Sequence, residues 1–163
     1  MKTICGFVVV ACVTLVGFPR LALAQNDHAN DQANIRARAK ASELVVVGTI
    51  VADDPVFETN EFGDQLIVSK VKLRVDEKMK GNAEPVVPVS IEGGTIGDLK
   101  LDVSDLPQVE NGDRGTFFLD KSRDGSWVPH DRGFGIMKLD ARDRVQDSDL
   151  TLDEIRAAVR EAR

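Results

Sequence analysis

The chain has 163 residues, 29% charged and 42% hydrophobic, with a formal net charge of −6 at pH 7; such a composition describes one globular domain and excludes low-complexity and fibrous classes. Setting aside the first 24 residues removes both cysteines, two of the 21 basic side chains and none of the 27 acidic ones, so the net charge falls to −8. That acidity disfavours nucleic acid and anionic lipid as partners, and a remainder with no Tyr, no Cys and only His28 and His130 lacks the usual groups of metal, thiol and histidine chemistry.

Residues 1–24 read as a signal peptide: Lys2 gives a positive start, residues 3–19 are uncharged, and Ala22-Leu23-Ala24 is the small-x-small site a signal peptidase needs. Cleavage there makes Gln25 the new terminus and sends the domain to the periplasm or the exterior. The apolar run is interrupted by Pro19-Arg20 and is shorter than the ~20 residues of a membrane span, so no transmembrane segment is expected in the mature chain. A second reading takes Val9-Val10-Ala11-Cys12 as the box before a lipid-modified cysteine, but residues 13–18 stay apolar where such leaders turn polar. Without cysteine, the mature domain must be held by core burial alone.

Residues 25–41 are polar and read as a tether or short helix, with helix formers concentrated in 34–41 and His28 as an exposed spacer. The run 44–51 is β-branched and apolar, a buried strand with Gly48 marking a bulge and Asp53-Asp54-Pro55 its stop. Residues 65–77 alternate: Val71, Leu73 and Val75 share one face, Lys70, Lys72, Arg74 and Asp76 the other. Pro85 and Pro88 bracket a short strand carrying Val87, Val89 and Ile91, and their missing N–H groups predict an edge position. Further strands are expected at 99–103, 116–119, 126–129 and 134–139, separated by Asn111-Gly112-Asp113 and Asp124-Gly125 turns. After a charged stretch from 140, Thr151-Leu152-Asp153-Glu154 fits a capping box. Leu152, Ile155 and Val159 then share one face of a terminal helix, expected to cover an open barrel end. The domain would therefore occupy 42–140, with 141–163 as linker and capping helix.

Three motifs invite chemistry. Gly93-Gly94-Thr95-Ile96-Gly97 follows a strand but lacks the Lys-Ser/Thr ending and helix of a phosphate loop, so it reads as a turn. His130, with Asp131 beside it, reads as a solvated loop histidine, because no positioned acid–base partner is visible. Asp120, Ser122, Asp124, Gly125 and Asp131 stand at the first, third, fifth, sixth and twelfth positions of a calcium loop. Strand flanks, Lys121 and Arg123 argue for a plain Asp-Gly hairpin instead. Neither cofactor nor metal nor catalytic residue is assigned on these grounds.

The order of features, from Leu44-Val45-Val46-Val47-Gly48-Thr49 through Val75-Asp76-Glu77-Lys78-Met79-Lys80-Gly81, Pro107, Gly112-Asp113 and Phe117-Phe118-Leu119 to Gly133-Phe134-Gly135, resembles a broad group of exported bacterial proteins. Their domain is similar to the netrin-like, tissue-inhibitor-of-metalloproteinase type of OB-fold barrel, and the resemblance covers about residues 42–140. It implies a mainly β fold, a small OB-like barrel of about six strands with a C-terminal helix. It carries no site across: the inhibitors place an N-terminal cysteine on the enzyme's zinc, and here the expected mature terminus is Gln25 with no cysteine after it. The expected function is an exported, non-catalytic binding module that touches a protein, peptide or glycan through loops 60–65, 93–98 and 120–131. An enzyme or enzyme accessory using acidic loop residues is the alternative class, and a purely structural envelope domain the third.

Overall fold

The computed structural model describes residues 21–60 and 62–163, with side chains from residue 31 onward. Residues 1–20 of the proposed leader, Cys12 among them, lie outside the described residues, as does the side chain of His28.

Helix α1 (Leu21–Ala41) leads into two long strands, β1 (Leu44–Thr59) and β2 (Gln65–Lys80), followed by β3 (Val86–Glu92). A small hairpin, β4 (Gly94–Ile96) and β5 (Leu99–Leu101), precedes β6 (Arg114–Lys121), β7 (Trp127–Pro129), β8 (Ile136–Lys138) and the final helix α2 (Leu152–Glu161). Strand β1 pairs antiparallel with β2 on one edge and with β6 on the other; β3 continues from β2, and β7 from β6. A single parallel bridge, Val89 of β3 to Trp127 of β7, closes the ring. Counting the ring strands alone, the neighbour order is that of a five-stranded OB-like barrel. The protein is mainly β, a small OB-like fold with a C-terminal helix.

The consecutive apolar residues of β1 and β6 are explained by burial on both faces, since alternate side chains of a strand point opposite ways. Leu44, Val46, Phe117 and Leu119 fill the barrel with Val71, Leu73, Val87, Val89 and Ile91. Val45, Val47 and Phe118 point outward, into a second core made with Ile35 and Ala39 of α1 and Leu152, Ile155, Ala158 and Val159 of α2. Both helices thus lie on the outer wall, which corrects the expectation that α2 covers a barrel end. It starts as its sequence requires: Thr151 Oγ1 accepts from Glu154 N at 3.4 Å, and Thr151 N donates to Glu154 Oε2 at 2.9 Å.

Residues 25–41 are helical throughout, so the tether reading of their first half is corrected too. Ile35 and Ala39, four residues apart, form a one-turn stripe against α2. Lys80 Nζ secures the end of α1 by donating to the carbonyls of Ala39 (2.7 Å), Lys40 (3.0 Å) and Ser42 (2.6 Å), oxygens that a helix C-terminus leaves without backbone partners.

Asp53-Asp54-Pro55 does not stop β1, which runs on to Thr59 against β2. The β6 ladder ends at Thr49, so Pro55 lies where the outer edge of β1 has no strand to donate to. Gly48 sits at the expected irregularity, a register shift beside Val47; a Cβ there would come within 2.6 Å of Arg74 O. Pro85 precedes β3, but Pro88 lies within it opposite Lys72, which corrects the bracketing expectation; the strand has a full ladder to β2 but only one bridge to β7. It stands at the seam of the ring.

Candidate functional site

Two of the three loops singled out by sequence meet in a cleft of about 190 Å³ on the outer face of β2 and β3. The β1–β2 turn contributes Asn60, whose Oδ1 accepts from Phe62 N (3.0 Å) and Asp64 N (2.8 Å) and so rigidifies the turn. The β6–β7 hairpin contributes Ser122, Asp124 and Ser126. Its turn is closed by Gly125 N to Ser122 O at 2.9 Å and Ser122 N to Ser126 O at 2.8 Å. Leu66, Val68 and Val128 give the cleft an apolar floor.

The charges of the cleft differ in how far they are satisfied. Lys70 Nζ is held by Glu58 at 2.6 Å and donates to Ser90 Oγ at 2.9 Å, while Glu92 is paired with Arg132 at 2.6 Å. Asp124 has no cationic partner among the described residues; its Oδ1 accepts from Ser126 N (3.0 Å) and Ser126 Oγ (2.8 Å). The Ser126 backbone N–H, and next its hydroxyl, hold the Asp124 carboxyl below the usual carboxylate range. It therefore presents a negative charge at neutral pH.

His130 faces a different recess, with Asp120 as its partner. His130 Nδ1 lies 2.5 Å from Asp120 Oδ2, and Asp120 Oδ1 accepts from Glu43 N at 3.2 Å. The reading of His130 as a solvated loop residue beside Asp131 is corrected: the ring is half-buried and its partner is Asp120, brought close by the β6–β7 hairpin. The backbone there is tight. Asp131 and Arg132 both adopt positive φ, 46° and 54°, and at Gly133 a Cβ would lie 1.2 Å from Asp105 O, so only glycine fits.

The calcium spacing is dispersed by the same geometry, with Asp120 turned to His130 and Asp124 to Ser126. Among the described residues no three of His, Cys, Asp and Glu gather as a metal site requires. The glycine-rich segment after β3 forms the β4–β5 hairpin, with Gly97 at positive φ in its turn. It lines a separate pocket of about 160 Å³ with Ser69, Lys100 and Leu106 and does not reach the cleft. Among the described residues no helix is long and apolar enough to cross a membrane.

Sequence reasoning missed Glu58, Thr59, Leu66, Val68, Lys70, Ser90 and Glu92 as cleft residues. Lys70 was legible only as one of a solvent-facing row, and the pairing of β2 with β3, which sets Lys70 opposite Ser90, has no local sequence signal. Compared with models of known protein families and with characterised proteins, the chain matches none.

Proposed function

We propose that this protein is a non-catalytic binding module, and that its ligand is an extended polypeptide segment carrying a basic side chain. The observation that carries this is the unpaired Asp124 carboxylate over an apolar floor, in a cleft rimmed by hydroxyls of Thr59, Ser90, Ser122 and Ser126. Small apolar side chains fit Leu66, Val68 and Val128, hydroxyls serve a peptide backbone, and the carboxylate selects a cation. Among the described residues no aromatic ring lines the cleft, which disfavours sugars and nucleobases, ligands that bind by stacking. The place of the cleft also suits the fold, since OB-type barrels bind on the face of their second and third strands between the loops of the first and last hairpins.

Support for a non-catalytic role comes from the lining of the His130 recess, which among the described residues offers no hydroxyl or thiol for the Asp120–His130 pair to activate. An exported location, through cleavage before Gln25, and kinship with the netrin-like barrels complete the proposal; the ring topology supports the kinship.

The test is a binding titration of the protein with short extended peptides of matched apolar content, one set containing Lys or Arg and one containing Glu. Basic peptides should bind, acidic ones should not, and Asp124→Asn should weaken the basic set about tenfold. Equal affinity for both sets, or an unchanged affinity in Asp124→Asn, contradicts the proposal.

A further inference from the structure

We propose that the recess between the C-terminal turns of α1 and the segment after β7 is a second binding site, for a small organic carboxylate, with the Arg38 guanidinium as its anchor. The recess holds about 440 Å³ and is lined by Asn34, Ala37, Arg38, Ala41, His130, Asp131 and Phe134. None of its lining residues belongs to the peptide cleft.

Arg38 is half-buried and yet has no ion pair or side-chain hydrogen bond among the described residues. Its Cζ lies 5.5 Å from the ring centroid of the fully buried Phe118 and 5.5 Å from that of Phe134. A cation–π contact of this kind attracts the charge without using an N–H group in a hydrogen bond, and a guanidinium can meet a carboxylate with two parallel bonds. Burial lowers the proton affinity of the guanidinium, and the charge of Asp131 works in the opposite direction. A half-buried guanidinium with no hydrogen-bonded counter-ion among the described residues is incompletely compensated, and an anion would complete it.

The surroundings select the anion. Phe134 is 59% exposed, a large aromatic surface left to solvent at the mouth, and Ala37 and Ala41 extend the apolar lining. These match an organic body rather than a bare inorganic ion. Asp131 would repel a dianion more strongly than a monoanion. His130, its Nδ1 occupied by Asp120, has Nε2 as its remaining ring nitrogen, and Asn34 supplies an amide.

Benzoate is the probe, titrated into the full chain and followed by residue-resolved NMR, with benzamide as its neutral isostere and inorganic phosphate as the non-organic anion. Benzoate should bind saturably with shifts at Ala37, Ala41, His130 and Phe134, about tenfold tighter than benzamide and tighter than phosphate. Arg38→Lys keeps the charge but loses the fork, and should weaken benzoate about tenfold without changing the melting temperature. Asp131→Asn suits the positive φ at that position and should tighten binding by removing a repelling charge. Equal binding of benzoate and benzamide, phosphate bound more tightly than benzoate, an unchanged affinity in Arg38→Lys, or shifts elsewhere each overturn the proposal.

Discussion

Thr116 is fully buried in β6, and its hydroxyl is the one buried side-chain polar atom without a hydrogen-bond partner among the described residues. An unmet buried hydroxyl costs stability, so replacing it with a methyl of the same shape removes a penalty. Thr116→Val should raise unfolding stability by about 1 kcal/mol, measured by urea denaturation; a loss of stability would mean that the hydroxyl has a partner in solution. The nearest sequence cue gave a different outcome at His130. Asp131 is adjacent in the chain but sits in a turn with left-handed backbone, and the true partner Asp120 lies ten positions away across a hairpin. Such a pairing is invisible until the turn and register of β6 and β7 are known.

Elements with a regular period were legible. The alternation along β2 places Val71 and Leu73 in the barrel core, with Val75 packed against it, and leaves Lys72 and Arg74 exposed. Val71→Asp should therefore cost several kcal/mol by burying a charge in the barrel, whereas Lys72→Asp should stay within about 0.5 kcal/mol of the parent. Comparable losses from both would contradict the register. The capping box at Thr151 was equally legible, because its two bonds depend on residues three apart. Helix α1 was legible only as a short helix over 34–41: its full length and its contact with α2 were not, since that contact rests on Ile35 and Ala39, whose burial depends on a tertiary partner more than a hundred residues away. The Asp120-to-Asp131 spacing matched a metal loop in letters alone, since strand geometry turns Asp120 and Asp124 to different partners. Calcium and magnesium should accordingly shift the melting temperature alike, through screening of a net negative chain. A calcium-selective rise that disappears in the Asp120→Ala, Asp124→Ala double variant would contradict this.

At the scale of the whole molecule, β1 and β6 organise two cores at once, one inside the ring and one under the helices. The doublet Phe117-Phe118 states this in sequence: one ring fills the barrel, and the other supports α1 and the Arg38 recess. The ring order itself was not legible from local pattern, because the closing bridge from Val89 to Trp127 joins strands distant in sequence. That closure sets β7 beside β3 and so brings Val128 and the β6–β7 hairpin to the floor and rim of the cleft proposed to bind peptide. Binding in this cleft is the central claim, and the most direct measurement is an amide and methyl chemical-shift map of the full chain on addition of a basic extended peptide. The account predicts saturable shifts at Leu66, Val68, Lys70, Ser90, Ser122, Ser126 and Val128, with the barrel interior unmoved. Shifts confined to other surfaces, or none at saturating peptide, would contradict it.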